Sequence, residues 1–361
     1  MHGTTQLSRV GQSIWLDNVT RDLLTSGTLE RYIAELGVTG LTSNPSIYNK
    51  AISGSDAYDE PIQRLRAAGA DSQSIFFDLA LDDLGRAADL FLPIYRRTNG
   101  VDGFVSLEVS PRLSDDTAAT IREARRLHAR SGRSNLFIKI PGTPAGLAAI
   151  EESIFAGVPV NVTLLFSADQ YMAAADAYTR AIERRVEAGL DPYVASVASV
   201  FVSRWDGGVP GDLPADLHLQ LGLATARSTY AAYRDFLDSD RWGRLLNEGA
   251  RPQRLLWAST GTKDPNASDV YYIEALATPF TVNTMPEETL LAFADHGTAS
   301  VTLAAGPDPR NDALLARFEA HGVNVAELAS RLQVEGVEVF VRAWGALLGE
   351  IERKASTTER T

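Results

Sequence analysis

Two periods of apolar residues alternate along this chain. Continuous apolar runs occur at 13–17 (SIWLD), 38–42 (VTGLT), 103–109 (GFVSLEV), 136–140 (LFIKI), 158–164 (VPVNVTL), 194–202 (VASVASVFV), 254–259 (RLLWAS) and 279–284 (PFTVNT). Each is short enough for a strand and apolar on both faces, the pattern of a parallel sheet covered by helices. Between them, 74–97, 115–131, 167–188 and 217–238 repeat their apolar residues at helical spacing. Asp115 and Ser167 stand where N-caps belong, just ahead of two of these segments. Strand and helix in succession predict an α/β fold, and eight such units suit a closed (β/α)8 TIM barrel. A doubly wound open sheet is the alternative. Residues 206–215 (DGGVPGDLPA) predict a loop, 287–352 additional C-terminal helices, and 355–361 a disordered tail. The expectation is one domain over 1–354.

Composition narrows the function. With 45% hydrophobic and 22% charged residues, the 361-residue chain can bury a large core. A formal net charge of −12 argues against nucleic acid or an anionic membrane as partner, so an anionic ligand would need a local basic pocket. The lack of cysteine excludes disulfides and thiol chemistry. The N-terminus has no apolar leader, and no apolar run reaches the roughly 18 residues of a membrane span, so a cytoplasmic address is expected.

One asymmetry stands out. The 34 basic residues include only four lysines, Lys50, Lys139, Lys263 and Lys354. Lys139 interrupts the apolar run LFIKI, where an ammonium is costly to bury unless it is paired or deprotonated. It admits three readings: an ion pair with Asp17 or Glu108 that holds the barrel together, a point charge for phosphate, or a Schiff-base nucleophile activated by desolvation. Other polar groups also end or interrupt the apolar runs: Asp17, Asn44, Glu108, Asn161 with Thr163, Ser199, Ser259 and Asn283. In a barrel these converge on the C-terminal face, where active sites lie. The five histidines show no metal-ligand spacing, and neither a phosphate-loop nor a dinucleotide signature is present, so no cofactor is expected.

Seven stretches, WLDNVTRDLL, GLTSNPSIYNKAI, SLEVSPRLS, FIKIPGTPAG, NVTLLFS, SVFVSRWD and TVNTMPEETL, lie in order between residue 12 and about residue 300. Together they resemble the transaldolase family in its longer, actinobacterial-type form. The resemblance implies a (β/α)8 barrel and a class I Schiff-base mechanism without metal or cofactor. It implies transfer of a dihydroxyacetone unit from sedoheptulose 7-phosphate to glyceraldehyde 3-phosphate, in the pentose phosphate pathway. The partners would be small sugar phosphates and the protein a monomer or homodimer. Carried over by motif, Lys139 would be the Schiff-base lysine, and Glu108 with Thr163 would position a proton-shuttling water. Asp17 would handle the C4 hydroxyl proton. Asn44 and Asn161 would bond substrate hydroxyls and the enamine, Ser199 the end of the donor unit, and Arg204 the phosphate.

The pattern is not matched everywhere. Shorter transaldolases carry a Ser-X-Arg phosphate motif after the seventh strand; here WASTGTKD keeps Ser259 and moves the cation to Lys263. Lys263 is then either a phosphate ligand or a loop lysine pairing with Asp264. The nearest rival is a fructose 6-phosphate aldolase, which releases free dihydroxyacetone. Proteins resembling that enzyme are shorter, lack a glutamate at the position of Glu108 and carry tyrosine where this chain has Phe201. A catalytically dead binding barrel is the other alternative.

Overall fold

The eight apolar runs become eight parallel strands: β1 (Ser13–Leu16), β2 (Val38–Leu41), β3 (Val105–Glu108), β4 (Leu136–Pro141), β5 (Val160–Leu165), β6 (Ser196–Phe201), β7 (Arg254–Ala258) and β8 (Thr281–Met285). The structure is a computed structural model and describes residues 2–356. The strands pair in sequence order into a closed barrel. Closure is explicit where Ser13–Leu16 of β1 lies against Val282–Met285 of β8, so the open-sheet alternative falls.

Alternation within each strand divides the core in two. Ile138 and Ile140 face outward into the layer shared with the surrounding helices. Phe137 faces inward with Trp15, Val197, Leu256 and Val282. Lys139 is two residues past Phe137 and shares its inward face. The interior is therefore apolar at its N-terminal end, where Phe104 stacks on Phe137 at 4.1 Å, and polar towards the C-terminal end. Register completes the arrangement: Glu108 lies opposite Lys139, and Lys139 opposite Asn161.

Local signals hold with small shifts. Ser167 caps the helix Ala168–Glu187, accepting from the Gln170 N–H at 3.2 Å. The cap of Thr117–Ser131 is Asp116 rather than Asp115; its carboxylate accepts from the Ala119 N–H at 2.8 Å. Only the residue directly before the first helical turn has its side chain within reach of those N–H groups. The helix expected from 217 begins at Leu221, behind a short 3-10 turn at Ala215–Leu217. Residues 287–352 resolve into Glu287–His296, Pro309–Ala320 and the start of Val325–Ser356. That last helix includes residues 355 and 356, which were expected in the tail; 357–361 lie outside the described residues.

The last helix crosses the C-terminal mouth of the barrel. Gln333 bonds the ends of β4 and β5, and Phe340 reaches the central cavity. Further on, Trp344 packs edge-on against Phe76 at 4.9 Å, and Lys354 pairs with Asp59. No helix among the described residues is long and apolar enough to cross a membrane.

Candidate active site

At this mouth lies a cavity of about 240 Å³ lined by Asp17, Asn44, Lys139, Ser199, Phe201, Arg204, Ser259 and Lys263. Glu108, Asn161 and Thr163 are buried beside Lys139 without reaching the cavity surface. A larger apolar cavity, about 500 Å³, lies at the opposite end among Phe104, Phe137 and Tyr233, away from all of these groups.

Lys139 is the one lysine in the barrel interior. Lys50 and Lys263 are exposed, and the buried Lys354 is held outside the barrel by Asp59. The Lys139 Nζ donates to the Ser43 carbonyl at 3.3 Å and lies 5.6 Å from the centre of the Phe340 ring. Glu108 Oε2 stands 3.6 Å away, an ion-pair distance too long for a good hydrogen bond.

Two carboxyls face this amine, and burial dominates both. It raises Glu108 to about 7, against the attraction of Lys139. Both Glu108 oxygens and the Thr163 hydroxyl are buried without a hydrogen-bond partner among the described residues. Asp17 keeps some surface towards the cavity, yet burial also pushes its carboxyl up, opposed by Lys139 and by Thr42. Thr42 donates to Asp17 at 2.6 Å and lies 2.6 Å from the Thr284 hydroxyl.

Neutral groups complete the wall. Asn44 caps the helix Pro45–Gly54, its side-chain oxygen accepting from the Ile47 N–H at 3.1 Å. That bond fixes the carboxamide at the cavity rim. Ser199 donates to Asn161 at 2.7 Å, and Asn161 in turn donates to Ser106 at 3.1 Å. Asn283 is not in the cavity. On β8 the inward phase runs through Val282, so Thr284 reaches the lining and Asn283 turns outward to accept from Thr260 at 3.1 Å.

The basic side of the cavity is built on a tied turn. Arg204 sits in the 3-10 turn Ser203–Trp205 after β6. Its guanidinium lies 5.1 Å from the Phe201 ring centre and 5.8 Å from that of Phe340. It makes no hydrogen bond or ion pair among the described residues. Burial pulls its pKa below the ordinary guanidinium range, with Glu108 opposing. Ser259, in the left-handed region at φ 54°, anchors this turn: its carbonyl accepts from the Ser203 N–H at 2.9 Å, and the two hydroxyls lie 2.9 Å apart. Lys263 does not pair with Asp264, whose carboxylate lies 3.3 Å from the His218 ring. Lys263 instead acts on Asp206, a carboxyl that burial pushes to about 7 and that accepts from the Tyr272 hydroxyl.

Phe340, Thr42, Thr284 and the Ser43 carbonyl were not singled out from sequence. Thr42 had a signal, as a polar residue at the end of an apolar run. Phe340 had none, because an aromatic on an amphipathic helix reads as core.

The fold and the strand-end groups define a (β/α)8 barrel with a buried lysine–carboxylate centre. The family model "Transaldolase/Fructose-6-phosphate aldolase" matches residues 14–351. The chain is 43% identical to a transaldolase of Renibacterium salmoninarum, covering 97% of this chain and 96% of that one. It is 44% identical to one of Thiobacillus denitrificans, over 97% of this chain and 100% of the relative. A Thermobifida fusca transaldolase is 43% identical over 97% of each. The chain belongs to the transaldolase/fructose-6-phosphate aldolase family, and it is an enzyme whose relatives over nearly its full length are transaldolases.

Proposed function

We propose that this enzyme moves a dihydroxyacetone unit between sugar phosphates through a Schiff base on Lys139. The observation that carries the reading is the row Glu108–Lys139–Asn161, which places a lone interior amine beside a carboxyl poised near neutrality. The neutral amine adds to the donor ketone, and the carbinolamine loses water to give an iminium. A water held between the unsatisfied groups of Glu108 and Thr163 carries the protons of this step. Asp17 accepts the C4 hydroxyl proton, the C3–C4 bond breaks, and its electron pair moves into the iminium, leaving an enamine. The aldehyde departs. An acceptor aldehyde then takes the same path in reverse, and hydrolysis frees the product. Ser199 and Asn44 hold hydroxyls of the bound unit, Asn161 orients Ser199 from behind the cavity wall, and Arg204 and Lys263 hold the phosphate. Fructose 6-phosphate with erythrose 4-phosphate should give sedoheptulose 7-phosphate. Accumulation of free dihydroxyacetone instead would assign the enzyme to the aldolase branch.

Phe201 bears on that choice, because a phenyl ring in the cavity wall cannot orient a water towards the enamine. Phe201→Tyr is expected to raise dihydroxyacetone release relative to transfer, since a phenol can orient the protonating water. The product partition measures this; an unchanged ratio would remove Phe201 from the enamine's surroundings.

Acceptor phosphate supplies a second test. Arg204→Ala is expected to lower kcat/KM on phosphorylated acceptors roughly 100-fold, the scale of a charge-assisted contact in a partly buried site. Lys263→Ala should cost about tenfold, because an exposed ammonium is screened by solvent and salt. Unphosphorylated glyceraldehyde should be nearly indifferent to both. Equal losses on the two acceptors would mean that neither residue reads the phosphate.

A further inference from the structure

The helix Val325–Ser356 meets the site with Gln333, Gly336 and Phe340, which are spaced at three and four residues and so share one stripe. All three lie beyond the motifs that mark the family in this sequence. Gln333 is only 9% exposed, and its Nε2 donates to two backbone carbonyls, Gly142 at 3.1 Å and Leu164 at 2.9 Å.

Those carbonyls are not arbitrary. Gly142 directly follows β4, three residues after Lys139, and its N–H donates to the Thr163 carbonyl at 2.8 Å. Leu164 directly follows Thr163 and holds φ at 59°, a left-handed conformation that an ordinary side chain adopts only under constraint. The register of β5 against β6 shifts across this same stretch, between Val162 and Leu165. One amide therefore ties the ends of the two strands that carry the amine and the hydroxyl, at the point where the backbone is strained. Removing that donor takes one of the ties from the strained stretch beside Thr163, whose own carbonyl stays bonded to the Gly142 N–H.

Gly336 presses on the same place from one turn further along. A Cβ there would stand 2.9 Å from Leu164 Cδ2 and 3.3 Å from Arg204 Nη1. The absence of a side chain lets the guanidinium sit between the rings of Phe201 and Phe340.

We propose that Gln333 is a positioning residue for the Lys139–Thr163 centre and that Gly336 sets the seat of Arg204, so that the last helix helps to build the active site it covers. The inference rests on the Schiff-base reading. It gives the two residues separable effects, one on the rate of imine formation and one on acceptor phosphate binding.

The test uses the full chain. Gln333→Met keeps side-chain length and removes the donor. It is expected to slow formation of the borohydride-reducible adduct from fructose 6-phosphate, and kcat with it, roughly 10- to 100-fold, as small misplacements of reacting groups do. The acceptor KM should stay within about twofold of wild type, all measured well below the variant's melting temperature. Gly336→Ala favours the helix intrinsically and so reports even if Gln333→Met does not fold. It should raise KM for phosphorylated acceptors roughly 3- to 10-fold, on the scale of a weakened phosphate contact, with the maximal rate of adduct formation at saturating fructose 6-phosphate and kcat/KM for glyceraldehyde kept. A folded Gln333→Met that melts lower but forms adduct at the wild-type rate would make Gln333 merely structural and overturn the proposal. Wild-type kinetics for Gly336→Ala on both acceptors would overturn the seat assigned to Gly336. No adduct in wild type would remove the Schiff-base reading itself, and the proposal with it.

Discussion

Lys139→Arg should abolish dihydroxyacetone transfer, with kcat falling by roughly 10⁴-fold or more, the scale of losing a covalent nucleophile. The substitution keeps a positive charge near Glu108 but offers a group that does not deprotonate at working pH. Charge alone is therefore separated from nucleophilicity. Lys139→Met is the complementary variant. It leaves Glu108 buried with its cation 3.6 Å away removed, and burying an uncompensated carboxylate is strongly unfavourable. Its melting temperature should fall more at pH 8, where that carboxyl is driven to ionise, than at pH 5, where it can stay protonated. Turnover by Lys139→Arg within tenfold of wild type would show that the amine does no covalent work.

Glu108→Gln carries the second large effect. Loss of the relay should lower kcat roughly 10²–10⁴-fold, the contribution of general acid–base catalysis. Stability should move the other way. The Glu108 carboxyl is raised from 4.5 to about 7, first by burial. Between those values the folded protein holds a proton that the unfolded chain has released. Its contribution to folding is thus fully present below pH 4.5 and is lost as pH rises to 7. An amide has no such loss, so Glu108→Gln should gain melting temperature relative to wild type across that window and level off above it. Paired pH series of activity and thermal unfolding read both effects. A variant that keeps activity within a few-fold, with a parallel stability profile, would make Glu108 a neutral wall residue.

The strands were legible for a physical reason. Helices cover a parallel barrel outside and side chains fill it inside, so each strand is apolar on both faces, and a lysine in LFIKI could not pass as surface. The strand-end groups were read by the same logic, and Asp17, Asn44, Ser199 and Ser259 line one cavity. On β8 the logic was ambiguous. Thr281, Asn283 and Thr284 put polar atoms on both phases, and only the inward position of Val282 selects Thr284. Adjacent aspartates at 115 and 116 blurred one cap in the same way. Gln333, Gly336 and Phe340 were out of reach altogether. They sit on an amphipathic helix like the others, and nothing local records that its path crosses the mouth of the barrel. Lys263 is an intermediate case: its loop position was legible, but the engagement of Asp264 with His218 was not.

The central claim is that the Lys139 amine bonds covalently to the substrate carbonyl. Borohydride reduction in the presence of fructose 6-phosphate, followed by peptide mass mapping, tests it directly. A dihydroxyacetone-derived adduct should appear on the peptide containing FIKIPGT, at Lys139, and be missing from Lys139→Arg. An adduct on Lys50, Lys263 or Lys354, or none on a wild-type enzyme that turns substrate over, would contradict the mechanism.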